Sequence, residues 1–234
     1  MRHSTFLAPA SRLLLLVAMA ACAGPARAQT IPSPYRFINP RQDVGLFAGG
    51  IQEARGSLRL GPGGGPTLGA RYGIYLAGPM SLEASTFLLV TDREVYDPHP
   101  NGVIELLGTT STYVGGMDAL ARFALTGRRT WRGFQPFFLT GGGFVVDLAG
   151  SSDLDADLAT GDQFSFGTSP LGVLGAGTRW FPSERLSLRL EAVLHLWRLS
   201  TPDSFLQLKS KLGPLEAREW AGAVGLFGGI NFGF

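Results

Sequence analysis

The sequence is poor in cysteine, in charge and in long apolar runs. Its one cysteine, Cys22, lies among the first 28 residues. If that leader is removed, no disulfide can form, even in an oxidising compartment. Charged residues make up only 16% of the chain. After residue 28 no apolar run reaches the roughly 18 residues that suggest a membrane helix. There is no P-loop, dinucleotide fingerprint, zinc-ligand spacing or Cys/His pair, so no cofactor and no metal are expected.

The leader itself is informative. Arg2 and Arg12 supply a positive start, residues 13–21 a short apolar core, and Ala26-Arg27-Ala28 an A-x-A cleavage signal. This is the pattern of an export signal peptide, cut to leave Gln29 first. Met19-Ala20-Ala21-Cys22 is a competing, weaker lipoprotein box that would lipidate Cys22. The leader holds three of the 20 basic residues and none of the 18 acidic ones, so the remainder carries 17 against 18. That near-neutral balance gives no reason to expect a nucleic-acid partner. The expected organisation is a signal peptide at 1–28, a short periplasmic segment at 29–42 and one domain at 43–234.

Glycine is abundant, with 33 residues in 234, about twice the usual share. Period-two alternation dominates the rest. At the end of the chain Trp220, Val224, Leu226, Ile230, Phe232 and Phe234 share one face, and Ala221, Ala223, Phe227, Asn231 and Gly233 the other. Residues 67–77, 80–90, 112–125 and 186–197 repeat the contrast, and strands are also expected at about 43–52, 133–148 and 163–181. Short connections at Gly78-Pro79, Thr126–Arg132 and Pro182–Arg185 alternate with long ones at about 53–66, 92–106, 149–162 and 199–217. Eight strands with alternating turn lengths predict an all-β fold, an eight-stranded antiparallel up-and-down transmembrane β-barrel. A soluble barrel would put its apolar residues inside. Here the charges fall on the face opposite the Leu, Phe, Tyr and Val residues, which suits lipid rather than water.

Three segments carry a resemblance to the OmpA/OmpX-like outer-membrane β-barrel domain family. The terminal Phe227-Gly228-Gly229-Ile230-Asn231-Phe232-Gly233-Phe234 is similar to the assembly signal of such barrels, with Gly229, Phe232 and Phe234 in the expected places. It departs at Phe227, where a polar residue is usual. Gln135-Pro136-Phe137-Phe138-Leu139-Thr140-Gly141-Gly142-Gly143 resembles the family's Pro-aromatic strand. Gly175-Ala176-Gly177-Thr178-Arg179-Trp180-Phe181 with Leu186–Glu191 resembles its penultimate hairpin. The resemblance implies a monomer in the outer membrane of a Gram-negative cell envelope. Its partners would be outer-membrane lipid and, during insertion, the barrel-assembly machinery.

Inward charges are expected at Arg71, Glu83, Asp118, Arg122, Arg179, Arg189 and Glu191, with His195 near one end. Eight strands leave just enough room for side chains to fill the lumen, and buried charges must be paired. A network that plugs the lumen is one reading, with Arg71 diagonal to Glu83 across the Gly78-Pro79 hairpin. A narrow porin-like channel through it is the other. Trp131, Trp180 and Phe181, with Phe232 and Phe234, are expected in the aromatic girdle at the short-turn side. Some eight-stranded outer-membrane barrels modify lipid A, which directs attention to His195 and Ser200, but the His-x-Ser-Asn element of the deacylases is absent. No enzyme is expected. Asp153, Asp155, Asp157 and Asp162 crowd one loop without EF-hand spacing. The expected role is structural or interactional: membrane integrity, adhesion, or ligand binding by the extracellular loops.

Overall fold

The computed structural model describes residues 33–99, 101, 103–150, 152–156, 158, 162–164, 167–207 and 215–234. The expected signal peptide, its cleavage site, Cys22 and Asp157 lie outside these residues. The described residues form ten strands: β1 (Tyr35–Phe37), β2 (Gln42–Ile51), β3 (Gly65–Ala77), β4 (Met80–Pro98), β5 (Ile104–Ala124), β6 (Arg129–Trp131), β7 (Phe134–Asp147), β8 (Thr168–Trp180), β9 (Leu186–Ser200) and β10 (Arg218–Gly233). Two helical turns, Asp153–Ala156 and Asp203–Gln207, sit in the loops.

Eight of the strands form a closed antiparallel ring in the order β2-β3-β4-β5-β7-β8-β9-β10. The ring closes where β10 pairs with β2, from Gly225 opposite Ile51 to Gly233 opposite Asp43. Closure leaves no strand edge unpaired, which a bilayer demands because it offers no water to backbone groups. The side-chain alternation is that of a membrane barrel. Leu46, Leu68, Leu82, Met117, Leu174, Leu190 and Leu226 are exposed on the outer wall, while Phe47, Phe87, Leu139, Val173 and Phe227 are buried inside. The protein is an eight-stranded transmembrane β-barrel.

Glycines let bulky residues fit inside so narrow a ring. A Cβ on Gly116 would lie 2.2 Å from the Phe87 ring, and one on Gly69 would lie 2.2 Å from the Phe47 ring. The tip of each ring therefore rests on a bare stretch of the neighbouring strand. The β3–β4 turn uses a different property of glycine. Gly78 has φ of 57°, a left-handed conformation that costs glycine nothing.

Three boundaries differ from expectation. The 92–106 segment is not mainly loop, because β4 runs to Pro98 and β5 starts at Ile104. Along this extension Thr91, Arg93 and Val95 point in, while Asp92, Glu94 and Tyr96 are half-buried on the other side. Both faces carry polar groups there, which masks the period in the sequence. Next, β8 begins at Thr168 rather than near 163.

Finally, the segment before the barrel is not a simple leader-in. Its β1 pairs with β6, which lies in the β5–β7 turn. That turn is diametrically opposite the β10–β2 closure. Residues 34–41 thus cross the short-turn mouth as a strap. The strap is fastened by Arg36 to the Phe181 carbonyl at 2.5 Å and by Arg128 to the Ile38 and Asn39 carbonyls at 2.8 Å each. At its far end the Arg41 and Gln42 amides bond the Phe234 carbonyl.

Candidate functional site

Inward positions on successive strands divide the lumen into two storeys. The lower one, toward the short turns, is charged. Alternation brings Asp43 from β2, Arg71 from β3, Glu83 from β4, Asp118 and Arg122 from β5, Arg179 from β8, and Arg189 and Glu191 from β9 to the axis. All eight are buried.

Seven of these charges form one chain of alternating sign. Arg71 donates to Glu191 at 2.6 Å, and Arg189 Nε donates to the other Glu191 oxygen at 2.8 Å. Arg189 Nη1 also reaches both oxygens of Glu83 at 2.9 Å. Glu83 then pairs with Arg122 Nε at 3.0 Å. Arg122 approaches Asp43 at 3.8 Å, and Asp43 accepts from Arg179 at 3.0 Å. Hydrogen bonds from Arg179 to Ser187, from Arg122 to Ser81 and from Asn231 to Asp43 add to the cluster. Asp118 stands apart from the chain and accepts from the Ser85 hydroxyl at 2.6 Å. The four arginines and four carboxylates balance. Fork geometry and alternating charge offset the cost of burying this cluster, in which Arg71 Nε, Arg122 Nη1 and Asn231 Oδ1 have no hydrogen-bond partner among the described residues.

Two details correct the sequence reading. Arg71 lies opposite Ser85 in the β3–β4 register, but its ion-pair partner is Glu191 on β9 and not Glu83. Inside a narrow ring the side chains converge on the axis, so the opposite wall is nearer than the diagonal neighbour. Asp43, which joins Arg122 to Arg179 in the chain, was missed. Its strand alternates weakly, yet the spacing Asp43, Gly45, Phe47 on one face was a usable signal.

The storey above is mainly aromatic and aliphatic. Phe47 and Phe227 meet edge to face, with centroids 5.6 Å apart. His195 sits between Phe87 at 5.6 Å, Phe227 at 5.9 Å and Trp197 at 6.4 Å. Its Nδ1 has no hydrogen-bond partner among the described residues. The Arg71 guanidinium lies 4.2 Å from the Phe47 ring centroid, so a cation–π contact joins the storeys. Above, Leu89, Val114, Val145, Trp197 and Leu199 form one cluster with the loop residues Ala54, Leu60, Phe164, Phe205 and Leu215. The loops therefore pack into the barrel's upper end as a cap.

One ion pair ties that cap to the wall. Arg93 on β4 bonds the buried Asp155 carboxylate, which also accepts from the Ser152 amide and hydroxyl. Burial opposes ionisation of Asp155, but the bonds from Ser152 and Arg93 outweigh it and hold this carboxyl below its ordinary value. Asp155 is thus turned inward, away from the exposed Asp153. Among the described residues no group of three or more His, Cys, Asp or Glu side chains is placed to hold a metal ion.

His195 and Ser200 are not brought together. His195 is buried in the lumen, whereas Ser200 lies on the outer face of β9. Among the aromatic residues, Trp131 and Trp180 are 48% and 43% exposed at the short-turn end. Phe181 does not join them. It is 6% exposed, because the residue after Trp180 alternates inward, and its ring lies 4.9 Å from the Arg179 guanidinium. At the chain end Phe232 and Phe234 are exposed on the outer wall. Gly229 points the other way, where a Cβ would lie 2.8 Å from the Leu46 carbonyl oxygen.

Below the charged storey, a small cavity of about 40 Å³ lies in the short-turn mouth. Arg122, Arg179 and Asp43 form its floor, and Ile38, Pro40 and Arg41 of the strap its outer side.

No protein-family model and no curated protein matches the chain. Solved structures do. The outer membrane protein OprG from Pseudomonas aeruginosa aligns with a TM-score of 0.50 at 12% identity, over 84% of this chain and 97% of that one. Neisserial surface protein A aligns with a TM-score of 0.49 at 13% identity, over 86% and 98%. Ail, the attachment invasion locus protein of Yersinia pestis, aligns with a TM-score of 0.39 at 13% identity, over 83% and 99%. At these identities the likeness to OprG concerns the fold.

Proposed function

We propose that this chain, with the fold of the OmpA/OmpX-like barrels, is a monomeric outer-membrane protein whose lumen is closed and whose role is exercised at its loop end. Membrane integrity, adhesion and ligand binding at the cell surface all fall within that role. The observation that carries the reading is the continuous chain from Arg71 to Arg179. It pairs seven of the eight charges of the lower storey with one another, while Asp118 is held by the Ser85 hydroxyl. An ion crossing this storey would have to displace a partner from a buried pair, which costs several kcal/mol per uncompensated charge. The aromatic storey and the packed loops stand above it in series.

The loop end also has the build of a binding platform. The β4–β5 hairpin carries polar groups on both faces, and the loop segments share a buried cluster with the barrel. Loops held by a rigid scaffold are where barrels of this kind place recognition. Partners in assembly are outer-membrane lipid and the insertion machinery, which would meet the exposed Phe232 and Phe234.

The test is conductance. Reconstituted in a planar bilayer, with its location in outer-membrane fractions established, the protein should give no single-channel steps. Reproducible steps abolished by substitution of lumen residues would overturn the closed-lumen reading in favour of a narrow channel.

A further inference from the structure

The two ends of the barrel differ sharply in charge. The short-turn end carries Arg36, Arg41, Arg128, Arg129, Arg132 and Arg185 on or near its surface, against one exposed acidic side chain among the described residues, Glu184. The opposite end is acidic, with Asp92, Asp97, Glu105, Asp153, Asp203 and Glu219 among its charges. No carboxylate among the described residues forms an ion pair with Arg36, Arg129 or Arg132. Such an excess of unpaired arginine at one end calls for an external anion.

Local structure says where that anion lies. The β1–β6 pairing sets Tyr35 opposite Trp131 and Phe37 opposite Arg129. Tyr35, Phe37, Trp131, Phe134 and Trp180 are each roughly half exposed. Phe134 and Trp180 stack with centroids 6.4 Å apart and continue the lipid-facing wall down from β7 and β8. The aromatic surface is thus unbroken from the hydrocarbon face to β1. Half-exposed aromatic rings of this sort settle at the headgroup level of a bilayer. The arginines interleave with them. The Arg132 guanidinium lies 5.2 Å from the Trp131 ring centroid, and Arg128 is held between Phe37 at 4.7 Å and Tyr75 at 4.4 Å. Stacking on Trp131 keeps the Arg132 guanidinium fork at the depth where lipid phosphates sit, whereas Arg128 is spent on the Ile38 and Asn39 carbonyls at the mouth. At that depth the Arg132 fork can donate bidentate hydrogen bonds to phosphate oxygens.

We propose that this arginine–aromatic platform of β1, β6 and the adjoining turn binds the headgroups of anionic phospholipids in the leaflet at the short-turn end. The wall alone explains why the barrel enters a bilayer. The platform adds a preference for which lipid surrounds its lower rim. It makes the strap a membrane contact as well as a cover for the mouth.

Quenching of tryptophan fluorescence by brominated lipids tests this. In a Trp220→Phe background the lumen shields Trp197, so lipid-accessible quenching reports on Trp131 and Trp180. Brominated phosphatidylglycerol should bind at least about threefold better than brominated phosphatidylcholine at low salt. The preference should fall to about one in about 0.5 M salt. It should also vanish in Arg36→Gln/Arg129→Gln/Arg132→Gln and persist in the matching triple lysine variant. If the triple glutamine variant fails to fold, Arg129→Gln and Arg132→Gln singly should each lower the preference. Equal quenching by the two lipids would overturn the proposal, as would a glutamine variant that folds and keeps the preference. Competition by inorganic phosphate beyond that of chloride at equal ionic strength would also overturn it, because the site would then belong to a soluble anion.

Discussion

Glu83 is the most heavily used carboxylate in the lumen, and its removal has a calculable consequence. It is 1% exposed and bonds Arg189 with both oxygens at 2.9 Å and Arg122 at 3.0 Å. In Glu83→Ala, Arg189 keeps Glu191 at 2.8 Å, but Arg122 keeps only Ser81 at 3.2 Å and Asp43 at 3.8 Å. Breaking a buried pair by deleting one partner costs about 3–5 kcal/mol, because the surviving charge stays buried. The retained partners place this case near the lower bound, at about 3 kcal/mol. The converse change, Arg122→Ala, should cost less, since Glu83 then keeps Arg189 and Asp43 keeps Arg179. Combining the two removes one charge of each sign, so the double variant should be less destabilised than the sum, by a coupling of about 0.5–3 kcal/mol. Urea unfolding in micelles, read as loss of the faster-migrating unboiled form on gels, measures all three. An unfolding midpoint for Glu83→Ala equal to that of the unchanged protein would refute the chain as a source of stability. So would additive effects in the double variant.

Two further outcomes follow from other parts of the barrel. Gly116→Ala should displace the Phe87 ring, which a Cβ would meet at 2.2 Å, and cost about 1–3 kcal/mol. Adding Phe87→Leu should restore part of that loss in the same unfolding assay. The Arg93–Asp155 tie should weaken in acid. The carboxyl of Asp155 titrates lower in the folded protein than in the unfolded chain. Its contribution is thus present above the ordinary carboxylate value of about 3.9 and lost as pH falls through the lower folded value. Hydrogen exchange of residues 152–156 should accelerate in that acid range, and it should be fast at neutral pH in Arg93→Ala.

Much of the ring was legible because lipid imposes a strict alternation. In β10 every outward position from Val224 to Phe234 is apolar or glycine, and Asn231 marks the inside. The signal failed where lipid no longer selects. Beyond Val90 the β4–β5 hairpin presents Asp92 and Glu94 on the face that Leu88 occupies lower down, so strand resembled loop. It failed again where a contact depends on closure. The Arg71–Glu191 pair joins residues 120 apart, and nothing in either strand alone selects the other. The aromatic upper storey was not legible either. Its Phe, Leu and Val residues are inward positions that read, singly, as noise in an alternating pattern. Phe181 shows the same limit at a strand end, where one step of alternation decides between lipid and lumen.

The strap across the short-turn mouth has a mechanical consequence. From Phe37, the last residue of β1, to Gln42, the first of β2, the chain takes five steps. Fully extended these reach about 17–18 Å. They join the β6 turn on one side to the β10–β2 seam on the other, so the segment works as a tie between opposite walls. A closed ring resists shear well but can be squeezed into an ellipse, since its hydrogen bonds hinge easily about the strand axes. The tie removes that freedom along one diameter. Pulling the two walls apart would load the Tyr35–Trp131 and Phe37–Arg129 pairings and the bonds to Phe234 before it strained the barrel. The lower rim therefore keeps its span until β1 lets go.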